Sequence, residues 1–225
     1  VVFDKQFLAG TNTHNAFTFM GPYSQKSSGS TFVPTKVLAD LYTMKNGKAI
    51  TDATSGFDPK NPYVNRDPRM RFTMYVDGDA LPSGILFKPI PGGGGGDEIG
   101  KTQYNTTTGF SLKKYVSAED FANPGASGLN FILLRYAEVL LTYAEAKIEL
   151  NQIDATVYDA INKIRTRSDV GLPALSSGLT QAELRTVVRR ERTLELAFEG
   201  IHLFDIRRWK TAQLLMTGKV FGITY

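Results

Sequence analysis

Residues 131–150 read FILLRYAEVLLTYAEAKIEL, twenty positions without Gly or Pro and dense in Leu, Ala, Glu and Lys. These are good helix formers, and the run predicts one long helix. Its apolar residues occupy more than one face, which implies a helix packed between neighbours rather than lying on a surface. Asn151-Gln152 turns the chain, Asp154 is placed to cap a second helix, and Val157, Ala160, Ile161 and Ile164 follow at helical spacing. Two helices of this size on a short link make a helical hairpin, the unit of tetratricopeptide-like stacks. One hairpin cannot bury both of its faces. Further helices must cover it, from this chain or from a part of the protein outside it.

Downstream, VGLPALSSG (170–178) leads to Thr180-Gln-Ala-Glu183, a capping box for a third helix expected to run to about Phe198 and to end at Gly200. Leu184, Val188, Glu191, Glu195 and Phe198 fall on one stripe of it, with Glu199 one turn further on. Carboxylates spaced in this way repel each other unless cations approach. Arg192 lies three residues before Glu195, and Arg207 and Arg208 arrive from the next segment, beside Trp209. The expectation is a largely structural network of Glu191, Glu195, Glu199, Arg192, Arg207, Arg208 and Trp209. A glycoside hydrolase would need two carboxyls on opposite sides of the scissile bond, roughly 5–10 Å apart. Neighbours on one helical stripe point the same way, so no catalytic residue is assigned.

Upstream the texture changes. Sixteen of the 21 Gly and nine of the ten Pro fall in residues 1–128. The division expected is a loop-rich, ligand-facing region over 1–128 and a helical scaffold over 129–225. VVF (1–3), FTFM (17–20), RFTMYV (71–76) and GILF (84–87) read as short strands. PTKVLADLYTMKNGK (34–48) reads as a helix opened by Pro34 and closed by Asn46-Gly47, and GPYSQKSSGS (21–30) as an exposed flexible loop. Phe17, Phe19 and Tyr23 lie among Asn12, His14, Asn15 and Gly21. Aromatic faces beside amide side chains suit a sugar, whose C–H face stacks while its hydroxyls take hydrogen bonds. Phe17, Phe19, Tyr23, Asn12 and Asn15 are therefore the candidate ligand-binding residues; the alternative for any one aromatic is a place in the core.

Three short motifs imitate known sites. Gly95 to Thr102 satisfies the phosphate-loop pattern GxxxxGK[ST] letter for letter. That chemistry also needs a strand before the loop and a helix after it. Here Pro89, Pro91 and five glycines precede the pattern and QYNTTTGF follows, so the segment reads as a flexible loop. Asn105-Thr106-Thr107 matches a glycosylation acceptor, and Asp77-Gly78-Asp79 lacks the ligand ladder of a calcium loop. Both read as polar turns.

Composition narrows the chemistry further. The 225 residues include 26 Lys+Arg, 22 Asp+Glu, two His and no Cys, with 42% hydrophobic and 21% charged residues, an ordinary globular balance. Without Cys there is no disulfide, thiolate catalysis or Cys-based metal site. His14 and His202 alone make no metal cluster, so no metal or cofactor is expected. Thirteen cations and 11 anions stand on either side of residues 128/129, an even excess that offers no patch for nucleic acid. No apolar run approaches the roughly 18–20 residues of a membrane span. VVFDKQFLAG is not a signal peptide, and with no initiator Met the chain reads as a mature or truncated piece.

The block NFILLRYAEVLLTYAEA (130–146), then DAINKIRTR (159–167) and RRERTLELAFEGIHLFDIRRW (189–209), resembles the C-terminal signature of SusD/RagB-type outer-membrane nutrient-binding lipoproteins. PTKVLADLYTMKNG (34–47) and GFDPKNPYVNRDPRMRFTM (56–74) fit the same family in the same order. One departure is Ile201-His202, where the family usually has an Arg or similar polar residue after FEG. The resemblance implies a mainly α fold, with tetratricopeptide-like helix pairs supporting a loop-rich ligand face. It also implies a non-enzymatic, cell-surface protein of Bacteroidetes-type bacteria that binds an oligosaccharide or polysaccharide. Such a protein would be lipid-anchored on the extracellular face of the outer membrane and partnered with a SusC-like TonB-dependent transporter. Family members are about twice as long, so this chain resembles their C-terminal portion, with the lipid-anchor cysteine outside it. Ligand contacts in the family come from variable loops, so no binding residue follows from the motifs. Two other readings remain open: a carbohydrate-active enzyme on the same scaffold, and a helical-repeat adaptor for a protein partner.

Overall fold

The computed structural model describes residues 1–25 and 29–225. Lys26, Ser27 and Ser28, at the centre of the loop expected at 21–30, lie outside the described residues. In chain order the elements are β1 (Phe3–Lys5), α1 (Phe17–Met20), α2 (Lys36–Leu41), α3 (Arg69–Thr73), β2 (Met74–Tyr75), β3 (Ser111–Leu112) and α4 (Ala118–Ala122). They continue with β4 (Phe131–Leu134), α5 (Tyr136–Glu149), α6 (Ala155–Arg165), α7 (Gln181–Glu195), α8 (His202–Arg208) and α9 (Ala212–Leu215). The protein is mainly α. One compact unit is formed by Val1–Phe3, Asp40–Met70 and Ile132–Thr217, a second by Asp4–Ala39, Arg71–Phe131 and Gly218–Tyr225.

The helical unit holds the tetratricopeptide-like hairpin. The run expected as one helix over 131–150 is two elements. Arg135 is extended at φ −137° and ψ 161°, Phe131–Leu134 pairs with β1, and Val2 N–H donates to Leu134 O at 2.9 Å. A strand partner more than a hundred residues away overrides helix propensity here, which is only a weak prior. From Tyr136 the helix proceeds as expected. Asp154 caps α6, accepting from Thr156 N–H, and Thr180 and Glu183 form the capping box of α7. Ala137, Leu141, Ala144 and Ile148 of α5 pack with Val157, Ala160, Ile161 and Ile164 of α6 and Leu184 and Val188 of α7. Helix α5 thus packs between two neighbours, α6 and α7, as expected, while Tyr136, Val139 and Tyr143 on its other side are exposed.

Residues 40–70, placed with the loop-rich part by the sequence, pack in this unit. Helix α2 stops at Leu41 instead of continuing to 48. Tyr42 is fully buried, its hydroxyl donating to Leu194 O at 3.3 Å, and Arg66 Nη2 donates to Tyr42 O at 2.6 Å. Helix α7 also ends earlier than expected, at Glu195. Phe198 takes a left-handed φ of 62° and Gly200 one of 79°.

In the loop-rich unit FTFM is helix α1, not a strand, and RFTMYV divides between α3 and β2. Strand β2 pairs antiparallel with β3 through Met74↔Leu112 and Tyr75↔Ser111. GILF contributes one isolated bridge, Ala80↔Leu86. Tyr75, Leu81 and Phe87 form a small core with Phe121 against it. Gly95–Thr102 forms turns with no helix after Thr102, and Lys101 Nζ donates to Gly95 O at 2.9 Å instead of standing free for a phosphate. Asn105 is buried, its amide donating to Gly96 O at 2.6 Å. Asp79 accepts from Val76 N–H at 2.9 Å and pairs with Arg71. Among the described residues no helix is long and apolar enough to cross a membrane, and no group of three or more His, Cys, Asp or Glu could hold a metal ion.

Candidate functional site

The candidate ligand residues of the opening segment lie in the loop-rich unit, and their surroundings separate them. Leu8 N–H donates to Asn12 O at 2.8 Å, closing a tight turn that leaves Asn12 exposed. His14 pairs with Ser127 through both backbone groups, at 2.9 and 2.8 Å. Its ring accepts from Ala16 N–H at Nδ1 (3.2 Å), while Nε2 lies 2.8 Å from Leu129 O. The neutral tautomer with its proton on Nε2 satisfies both partners, an assignment made from the network. Phe7 and Phe131 flank that ring at centroid distances of 4.6 and 4.7 Å. His14 therefore anchors the segment.

Beyond it Asn15 is exposed, and Thr18 Oγ1 donates to its carbonyl at 2.7 Å. Phe17 turns inward with 1% exposure, its ring 5.1 Å from that of Phe121. Gly21 lies against it so closely that a Cβ there would sit 2.6 Å from the Phe17 ring. Phe17 is a core residue. Phe19 points outward with 44% exposure, and Tyr23 stacks on Tyr104, centroids 6.0 Å apart and planes 21° from parallel. Of the segment 21–30 expected as an exposed loop, Gly21, Pro22, Gln25 and Ser30 are buried and residues 23–25 form a 3-10 turn.

The carboxylates of α7 lie in the helical unit. Glu191 pairs with Arg69 at 2.8 Å and with Arg165. Glu195 pairs with Arg135 at 2.7 Å, Arg167 at 2.9 Å and Arg69 at 3.4 Å. Arg135 also holds Glu199 bidentately, Nε at 2.7 Å and Nη2 at 2.8 Å. Burial alone would push the Glu195 carboxyl up; the Arg135 and Arg167 guanidinia outweigh it and bring the group down to about 2. The cations expected for these acids go elsewhere. Arg192 grips Asp205 at 3.0 and 3.1 Å, and Arg208 grips Glu145 at 2.6 Å through both Nη atoms. Trp209 Nε1–H donates to Glu145 at 2.6 Å, with the Arg189 and Arg208 guanidinia over its ring. Arg207 is exposed and makes no ion pair among the described residues.

Residues 1–222 match the family model described as the SusD family. The chain belongs to the SusD family. Among solved structures, a SusD-like carbohydrate binding protein from Bacteroides fragilis is 32% identical with a TM-score of 0.84, the match covering 98% of this chain and 44% of that one. A further SusD-like protein from Bacteroides fragilis is 25% identical with a TM-score of 0.74, over 100% of this chain and 46% of the other. SusD-like protein P2 of Formosa agariphila is 38% identical over 105 residues, which is 44% of this chain and 20% of that protein. The SusD-family chain thus spans less than half the length of each of these relatives.

Within this SusD-family fold, sequence reasoning missed Arg69, Arg135, Arg165 and Arg167 as partners of the α7 acids, and Glu145 and Asp205 as partners of Arg192 and Arg208. Arg135 stands inside an apolar run, where a charged residue is out of pattern, and that was the available signal. It also missed Tyr104 as the partner of Tyr23.

Proposed function

We propose that this chain belongs to a cell-surface glycan-binding protein of a nutrient uptake system. It works with a TonB-dependent outer-membrane transporter and is held on the extracellular face by a lipid anchor outside the chain. The reading rests on the likeness, at TM-score 0.84 over 98% of the chain, to a protein described as carbohydrate binding. The exposed members of the opening segment, Asn12, Asn15 and Phe19, form the ligand face with the half-buried Tyr23, and Phe17 supports it from the core.

The chain binds without catalysing. A general acid must hold its proton near neutral pH, whereas Glu195 titrates at about 2, and Glu191 and Glu199 are committed to guanidinium partners. Electrophoresis through gels containing soluble polysaccharides tests the reading: at least one polysaccharide retards the protein, and incubation releases no new reducing ends. Absence of retardation on every gel, or release of reducing ends, contradicts it. Co-purification of the lipidated full-length protein with its TonB-dependent barrel tests the partnership, and purification of the protein without the barrel counts against it.

A further inference from the structure

Four arginines stand on α7, and three of them meet acids. Arg185 holds Glu149 through Nε and Nη2, both at 2.8 Å, and Arg189 reaches the same carboxylate at 3.3 Å. Arg192 grips Asp205. Arg190 is the exception. Among the described residues its guanidinium makes no ion pair or hydrogen bond, and its Nε is buried without an acceptor. We infer that Arg190 is an anion site of the helical unit, taking one carboxylate group that is not part of the chain. The inference is independent of the glycan-binding reading, so the failure of one leaves the other standing.

The acids whose charge reaches Arg190 are Glu191 and Asp67, and both are already committed. Asp67 accepts from Arg69 Nε at 3.1 and 3.2 Å and from Arg69 Nη2 at 2.7 Å. Glu191 gives one oxygen to Arg69 at 2.8 Å and the other to Arg165. Glu195, which approaches Arg69 at 3.4 Å, is shared by Arg135 and Arg167. Arg69, Arg165 and Arg190 therefore have two carboxylates between them, and Arg190 is the one left over.

Its surroundings make that charge costly. Arg190 is half-buried, and burial is the largest influence on its guanidinium. Together with repulsion from Arg165 and Arg69, it draws the pKa below the ordinary arginine value despite Glu191 and Asp67. An arginine still does not discharge at neutral pH, so the cation lowers its cost only by meeting an anion. The uncompensated charge is single, which selects a singly charged ligand. A dianionic phosphate or sulfate would bring a second negative charge toward Glu191 and Asp67. The planar fork of guanidinium N–H donors matches the two oxygens of a carboxylate. A small free acid and a uronate unit of an acidic glycan both carry that group.

The probes are acetate and polygalacturonate, which carry the carboxylate free and on a polymer. Arginine Nε–H resonances of the isotope-labelled 225-residue chain are followed at constant ionic strength, that of Arg190 being identified by its loss in Arg190→Gln. The Arg190 resonance is expected to move with acetate and to saturate in the millimolar range, while that of Arg185, held by Glu149, stays in place. A larger move with polygalacturonate at matched carboxylate concentration, absent with a neutral polysaccharide, assigns the source to uronate. A move with acetate alone assigns it to a small free acid. Acetate should also raise the unfolding temperature of the parent and leave that of Arg190→Met unchanged. In carboxylate-free buffer Arg190→Met should unfold no earlier than the parent, because it removes an uncompensated cation. An Arg190 resonance that ignores both probes, or an Arg190→Met that unfolds well below the parent in carboxylate-free buffer, overturns the inference.

Discussion

Glu195 accepts from three guanidinia with only 3% of its side chain exposed, so its charge is tolerable only while they remain in place. Replacing one partner of a buried pair leaves the others uncompensated, at a cost of about 3–5 kcal/mol. Glu195→Gln should therefore lower stability by that amount in urea unfolding at neutral pH, and a variant as stable as the parent would contradict a structural role. Leu141 is fully buried between α5, α6 and α7. Leu141→Ala should cost about 2–5 kcal/mol by the same measurement. The acids themselves were legible, because their spacing on a helix reveals a charged stripe beside an apolar one. Their cations were not. Arg69 precedes Glu195 by 126 positions and Arg135 by 60, and no local rule relates such residues. The ligand candidates show the same limit: adjacency in sequence grouped Phe17 with Phe19, whereas burial separates them.

Elements set by local chemistry were readable in advance. Helices α6 and α7 begin at the caps the sequence announces, Asp154 and Thr180. Removing the α7 cap by Thr180→Ala should cost about 1 kcal/mol, seen as a small drop in the urea midpoint. Elements set by distant partners were misread. The strand over Phe131–Leu134 looked helical because its pairing with β1 leaves no mark in its own composition. The early end of α7 has a comparable cause. Beyond Glu195 the chain takes a left-handed residue at Phe198, and Glu199 then meets Arg135, an outcome that helix propensity does not anticipate.

For the molecule as a whole, the depressed Glu195 carboxyl ties stability to pH. Its folded value of about 2 lies below the roughly 4.3 of an unfolded glutamate, so the unfolded chain binds the extra proton first. The stabilisation is fully present above about pH 4.3 and is lost as pH falls toward 2. The urea midpoint should therefore decline through that window, and the decline should be shallower in Glu195→Gln. An equally steep decline in the variant would remove Glu195 as its source. At this scale the imbalance of Gly and Pro suggested a division at residues 128/129, whereas the compact units place 40–70 with the helices and 218–225 with the loops. The assignment of residues 40–70 depended on Tyr42, Arg66 and Arg69, whose partners lie outside any local pattern.

The proposed ligand face lies in the loop-rich unit, and the buried charges that carry stability lie in the helical one. The most direct test titrates Phe19→Ala and Glu195→Gln with the same polysaccharide, at neutral pH and below the unfolding temperature of both. Phe19→Ala should lose affinity and melt like the parent, whereas Glu195→Gln should melt earlier and bind like the parent. A folded Glu195→Gln that no longer binds, beside a Phe19→Ala that binds normally, would contradict the account.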